Sequence, residues 1–139
     1  MTNYTNKIKT VITTKAPKST ISAISKLPKD YQDLMRENQS FEFGVDTGNT
    51  HSFVIWCLNG RAGALEMNKA LEVQENFGRD SFAIGSDNGD RLILYVREND
   101  EYGLYLVEDY DIDLDDAVFL AQTLTDLLVN GQNIELIHA

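Results

Sequence analysis

Three short strand-like segments, closely joined, constrain the fold of this chain more than any other feature. They are residues 81–85, 91–96 and 102–107. Branched and aromatic side chains dominate them, as is typical of strands. Asn88-Gly89 separates the first two, and Asn-Gly between apolar runs is a strong signal for a β-hairpin. A charged turn at 98–101 separates the last two, so the sequence predicts a meander of antiparallel strands.

A helix and two further strands are predicted before the meander. Pro28 stands in the first turn of the helix, where the missing N–H of proline costs nothing. Tyr31, Leu34 and Met35 then fall on one helical face. The strands are residues 41–44 and 52–58.

The segment between Asn59-Gly60 and residue 80 allows two interpretations. In one, residues 62–67 form a return strand and Asn68 is the N-cap of a helix that ends at Phe77. In the other, residues 62–77 form one longer helix.

A long C-terminal helix is predicted next, beginning at Asp113 or Asp115 and ending near Asn130-Gly131. Its apolar side chains recur at helical spacing and form one stripe for the core. Residues 134–137 form a short strand or tail. The fold class is therefore α+β: one domain over residues 19–139, with a mostly antiparallel sheet flanked by helices.

Length and composition indicate the number of domains and the cellular compartment. A chain of 139 residues fits one domain, and its single cysteine permits no internal disulfide. No apolar stretch approaches the length of a membrane span, and residues 1–18, a polar and basic N-terminal arm, lack the apolar core of a secretory signal. We expect a cytoplasmic protein that does not bind membranes.

Charge is distributed unevenly within a net charge of −10. Residues 1–40 carry seven basic and three acidic side chains, or +4, and the rest carries five basic and nineteen acidic, or −14. An acidic body repels phosphate backbones, so nucleic-acid binding is not expected. A basic protein partner would be attracted instead.

Three motifs in this order resemble the SUKH superfamily over about residues 20–130. They are Leu27-Pro28-Lys29-Asp30-Tyr31 with Phe41-Glu42-Phe43-Gly44 after it, then residues 82–90, FAIGSDNGD, leading into a strand, and finally an apolar C-terminal helix. The resemblance implies an α+β domain without an established catalytic centre. Members of this superfamily include bacterial immunity proteins, which bind and neutralise cognate polymorphic toxins, many of them nucleases. Relatives of a yeast regulator of cell-wall glucan synthesis also belong to it, which leaves a regulatory or scaffold role as the alternative.

The candidate partner-binding residues lie in an acidic tract at 98–116, which contains no basic side chain. Those predicted to contact a partner are Glu98, Asp100, Glu101, Glu108, Asp109, Asp111 and Asp113. Alternate carboxylates also suggest calcium, but an EF-hand loop starting at Asp109 would need glycine and glutamate where Leu114 and Leu120 stand. A solvated loop leading into a helix N-terminus is the other open interpretation.

Catalytic residues are scarce. His51, His138 and Cys57 form no recognisable nucleophile–base arrangement in the sequence. A zinc site needs three or four nitrogen or sulfur ligands, and these three residues are the whole supply. We therefore predict a protein that is not an enzyme and has no cofactor.

Overall fold

Seven strands form one antiparallel sheet in the computed structural model, which describes residues 3–108 and 116–137. Each strand lies beside its neighbour in sequence, so the sheet is a meander throughout. The strands are β1 (Ile8–Lys15), β2 (Gln39–Asp46), β3 (Thr50–Ile55), β4 (Phe82–Ser86), β5 (Arg91–Glu98), β6 (Glu101–Glu108) and β7 (Val118–Ala121).

Four α-helices accompany the sheet in the described residues, and they confirm the predicted α+β class. They are α1 (Lys29–Met35), α2 (Ala64–Ala70), α3 (Val73–Phe77) and α4 (Leu124–Leu128), with short 3-10 helices at Ile21–Ile24 and Ile134–Leu136. No helix in this part of the chain is long and apolar enough to cross a membrane.

Most of the core lies on one face of the sheet, which we call the main face. Aromatic side chains of β2, β3 and β5 line it, and the helices α1 and α4 pack against them. The largest fully buried side chains here include Phe43, Phe53, Tyr31 and Tyr95. Period-two alternation along β2 explains the arrangement, because Phe41, Phe43 and Val45 point to the same side.

The opposite face is covered over part of its width only. Val73 and Phe77 of α3 pack there against a smaller cluster from β4, β5 and β6. Leu92 and Leu94 belong to this cluster, whereas Ile93 and Tyr95 belong to the core of the main face. The strands β4 and β5 are therefore buried on both sides, which explains why β5 has five consecutive buried residues.

A buried carboxamide, that of Asn68, completes the sheet where β3 stops. The strands β3 and β4 pair only at Val54–Ser86 and Ile55–Gly85. Beyond that point the Asn68 side chain accepts a hydrogen bond from the Ala83 N–H and donates one to the Ala83 carbonyl, both at 2.8 Å. The amide group thus occupies the position of a missing strand. The prediction of Asn68 as an N-cap is wrong, because it lies within α2 and is buried.

The predicted return strand at residues 62–67 is also wrong, and helical structure is present instead. It is not one helix, however. Glu72 adopts a left-handed backbone conformation, with φ of 51°, and separates α2 from α3. The break turns α3 onto the opposite face, where Val73 and Phe77 are buried.

The prediction of a long C-terminal helix is wrong over residues 118–121, which form β7. These residues pair with β6, whose backbone groups would otherwise be left as an open edge. The helix α4 begins later, at a cap the prediction overlooked: the Thr123 hydroxyl accepts from the Asp126 N–H at 3.1 Å. The predicted start at Asp113 or Asp115 lies outside the described residues.

The N-terminal arm contributes a strand that was not predicted. Ile8–Lys15 forms β1 and pairs with β2 over its length. Its residues carry no pattern of alternating apolar side chains, because β1 is exposed on both faces.

Replacing Asn68 with alanine tests its role in satisfying the backbone of β4. We expect Asn68→Ala to lower the free energy of unfolding by about 3 kcal/mol, since it leaves buried backbone groups of Ala83 unpaired. Urea denaturation measures the change. Asn130→Ala, which removes an exposed amide bonded to Asp126, is the control and should cost well under about 1 kcal/mol.

The buried tyrosines predict a specific loss of stability in alkali. The hydroxyls of Tyr31 and Tyr95 find no hydrogen-bond partner among the described residues. Burial raises the pKa of both hydroxyls above the usual value of 10.0. Because the folded pKa exceeds the unfolded one, this contribution to stability is complete below pH 10 and is lost as the pH rises further.

Tyr31→Phe and Tyr95→Phe should therefore flatten the fall in stability above pH 10, and leave stability at pH 7 unchanged or slightly raised. Urea denaturation at several pH values measures both effects. An unaltered alkaline slope in the double variant would show that other groups cause the loss.

Candidate protein-binding site

The hairpin between β5 and β6 turns through only two residues. Asn99 and Asp100 have φ of 51° and 65°, so both adopt the left-handed conformation that a type I′ turn requires. Asparagine and aspartate tolerate this conformation better than most residues. The turn places Glu98 directly opposite Glu101 in the strand register.

These two glutamates lie on the opposite face, next to exposed aromatic side chains. Cross-strand pairs place Val96 beside Gly103, and Tyr105 beside Phe119. The rings of Tyr105 and Phe119 meet edge to face, with centroids 5.4 Å apart, and Phe119 is 44% exposed. We call the surface formed by Glu98, Glu101, Tyr105 and Phe119 the acidic-aromatic patch.

A shallow groove of about 300 Å³ runs through the patch. Its floor includes Gly103, which has no side chain to fill it. A Cβ at Gly103 would lie 3.2 Å from the Tyr105 ring and 3.3 Å from the Phe119 ring. Glycine at this position thus leaves both rings free to line the groove.

Both glutamates lack a cationic partner in the part of the chain that is described. Glu101 accepts a weak hydrogen bond from the Gln122 amide at 3.4 Å, and Glu98 is exposed. Partial burial, and secondarily the Glu98 charge, raise the pKa of Tyr105. A tyrosine hydroxyl is protonated at neutral pH, so that of Tyr105 is available as a hydrogen-bond donor.

Asp100 differs from the two glutamates, because it has a cation beside it. The Arg97 guanidinium lies 3.4 Å from Asp100, 3.9 Å from Asp80 and 6.0 Å from the centre of the Tyr102 ring. Tyr102 packs on the main core whereas Tyr105 packs on the smaller cluster, so the two side chains face opposite sides of the sheet.

Glu108 is far from the patch. It lies at the other end of β6, seven residues from Glu101, or about 23 Å at the usual strand rise. Its cross-strand neighbour is Arg91, which also bonds the buried Asp87 carboxylate at 2.8 Å. The structure therefore does not bring the predicted residues together. Three of them, Asp109, Asp111 and Asp113, lie outside the described residues.

Sequence reasoning missed Phe119 and Gly103. Phe119 falls outside the apolar stripe of the predicted C-terminal helix, and a large aromatic excluded from such a stripe was the available signal. Gly103 interrupts a strand of bulky residues, which often marks a close approach of other groups.

A second cleft, of about 550 Å³, lies between the 3-10 helix Ile21–Ile24, α2 and α3. Its rim mixes the cations Lys26, Lys69 and Arg79 with acidic Glu75 and Asp80. Within residues 3–108 and 116–137, no three histidine, cysteine or carboxylate side chains are grouped so as to hold a metal ion.

Comparison with known proteins adds no assignment: no protein-family model matches the chain, and no curated protein matches it. The SUKH resemblance stays a prediction from its motifs.

Because Glu98 and Glu101 face each other, we predict that the patch lowers the stability of the isolated protein. Like charges directly opposite each other destabilise a strand pair, so Glu98→Lys should raise the free energy of unfolding by about 0.5 kcal/mol. The gain should fade in molar salt, which screens exposed charges. Urea denaturation at low and high salt measures it. Glu37→Lys, at an exposed acid outside the sheet, is the control for the change in net charge.

Proposed function

We propose that this chain is a non-enzymatic protein-binding domain that holds a basic partner protein on the acidic-aromatic patch. The observation that carries the proposal is the side-by-side placement of two glutamates without a cationic partner and a pair of partly exposed aromatic rings.

The charges of the patch favour a basic partner. Glu98 and Glu101 repel each other in the free protein, and a lysine or arginine docked between them would remove that repulsion. The −14 body extends the attraction to longer range, which accelerates encounter with a positively charged surface.

The aromatic side chains supply the affinity that exposed charges alone do not. Phe119 and Tyr105 offer rigid apolar area that loses little conformational freedom on binding, and aromatic residues recur among interface hot spots. An arginine or lysine of the partner can also lie over these rings while it pairs with a glutamate.

The partner we propose is a cognate bacterial toxin, as the SUKH resemblance implies, and the chain would act as its immunity protein. Many such toxins are nucleases, whose active sites attract the phosphates of nucleic acids. The pair Glu98 and Glu101 presents negative charge as those phosphates do. The mechanism would then be occlusion: the patch covers a basic active site and excludes the nucleic acid, with no chemical step by the immunity protein.

Titration calorimetry with the protein encoded beside this reading frame tests the proposal. We expect one-to-one binding that weakens steeply between about 0.05 M and about 0.5 M salt. Phe119→Ala should cost about 2 kcal/mol of binding free energy, the usual loss at a hot spot. Glu98→Lys with Glu101→Lys should weaken binding at least as much, because it replaces attraction with repulsion.

A double variant with the same net charge separates contact from general attraction. Glu37→Lys with Glu75→Lys also changes the net charge by four units, but these exposed residues lie outside the patch. We expect it to slow association modestly and leave the dissociation rate unchanged. Equal loss in both double variants, or no binding to the neighbouring protein, would contradict the proposal. Binding only to envelope or regulatory proteins of the same cell would favour the alternative role.

A further inference from the structure

The strand β1 ends the sheet and leaves one of its edges without a partner. It pairs with β2 alone among the described residues. Residues 9–15 are all exposed, with Val11 and Ile12 exposed by 37% and 59%. Over residues 9–15, both faces and the outer edge of β1 are therefore exposed, unlike those of a strand in the core.

The register shows which backbone groups point outward. The Ala16 N–H donates to the Asn38 carbonyl at 2.9 Å, just beyond the paired residues of β1 and β2. Hydrogen-bonded pairs alternate along an antiparallel ladder, so Thr10, Ile12 and Thr14, which follow the bulge, bond to β2. The N–H and C=O groups of Val11, Thr13 and Lys15 therefore point away from the sheet, and we call them the β1 edge.

The β1 edge has little of the protection that natural sheet edges carry. Edges are normally blocked by charges, proline or a covering element. Residues 10–14 are instead Thr-Val-Ile-Thr-Thr, all β-branched and uncharged, which is the composition that most favours another strand. A bulge near Lys9 and the charge of Lys15 restrict access only at the two ends.

Charge makes a second copy of this chain a poor partner for the edge. Antiparallel self-pairing about Ile12 brings Lys9 beside Lys15 at both ends of the strand, and like charges that face each other destabilise the pair. A register shifted toward the C-terminus avoids this contact but pairs a shorter stretch. Neither Lys9 nor Lys15 has an ion-pair partner in the described part of the chain, so both are available for carboxylates.

We propose that the β1 edge binds an extended segment of another protein as an eighth, antiparallel strand. The segment is β-branched at its centre and carries acidic residues at its two ends, opposite Lys9 and Lys15. Main-chain hydrogen bonds to Val11, Thr13 and Lys15 provide affinity, and the two ion pairs select the segment and its register.

This edge is separate from the acidic-aromatic patch. The edge belongs to β1 and the patch to β5, β6 and β7, so about 19 to 29 Å separates them along the sheet at the usual strand spacing. Their charge preferences are also opposite, since the patch favours a basic partner and the edge an acidic one. Each proposal therefore stands or fails without the other.

Nuclear magnetic resonance with short peptides tests the β1 edge. The probe is the capped peptide ETVTVTE, and its charge-reversed counterpart KTVTVTK is the comparison. At millimolar ETVTVTE we expect slower hydrogen exchange at the amides of Val11, Thr13 and Lys15. The amides of Thr10 and Ile12, already bonded to β2, should change little. KTVTVTK should bind about tenfold more weakly, because both ion pairs become repulsive.

Charge-reversed variants of the protein provide a second test of the β1 edge, which does not depend on whether a proline variant folds. Lys9→Glu with Lys15→Glu should reverse the order of the two peptides and leave β1 paired with β2. Thr13→Pro removes one outward N–H and should abolish binding of both peptides. The proposal is overturned if millimolar ETVTVTE leaves those three amides unprotected, or if both peptides bind equally. It is also overturned if the protein dimerises through β1 and so excludes the peptide, a result that sedimentation velocity would detect.

Discussion

The carboxamide of Asn68 holds β4 at the point where strand pairing runs out. The strands β1 to β3 form one group and β4 to β7 form another, and only two register pairs link β3 to β4 directly. Beyond those pairs Asn68 bonds both backbone groups of Ala83 in β4, and Gln74 in turn bonds the Asn68 oxygen at 3.2 Å. A single buried amide thus satisfies backbone groups that β3 does not reach, and it fixes α2 against the centre of the sheet.

The local signals in the sequence were sufficient for the centre of the fold. The meander at residues 81–107 was predicted because each strand and each turn is encoded within a few residues, as at Asn88-Gly89. The errors lie at the two ends of the chain and at residues 62–77, where the structure has α2 and α3. A strand such as β7 exists because β6 offers it an edge, and the residues of β1 are exposed on both sides. Neither β7 nor β1 therefore has a periodic pattern of apolar residues, and reasoning from short stretches of sequence does not detect them.

The candidate site, like the fold, combines features that short stretches of sequence encode with features that depend on strand pairing. The density of acids along residues 98–116 was visible at once, and it includes Glu98 and Glu101. Charge density does not report which face or which end of a strand each side chain occupies. Glu108 lies in the same tract, yet the length of β6 separates it from the turn. Phe119 joins the patch through the pairing of β7 with β6, which no local pattern predicted.

The meander also has a consequence for how this protein forms. Because every strand pairs with its neighbour in sequence, the sheet can grow one strand at a time. During synthesis β1 and β2 can pair once residue 46 has left the ribosome, before β4 to β7 have emerged. From that moment the outer edge of β1 is open to other chains. The lysines at its ends then discourage two nascent copies from joining, and so act against misassembly before the core is complete.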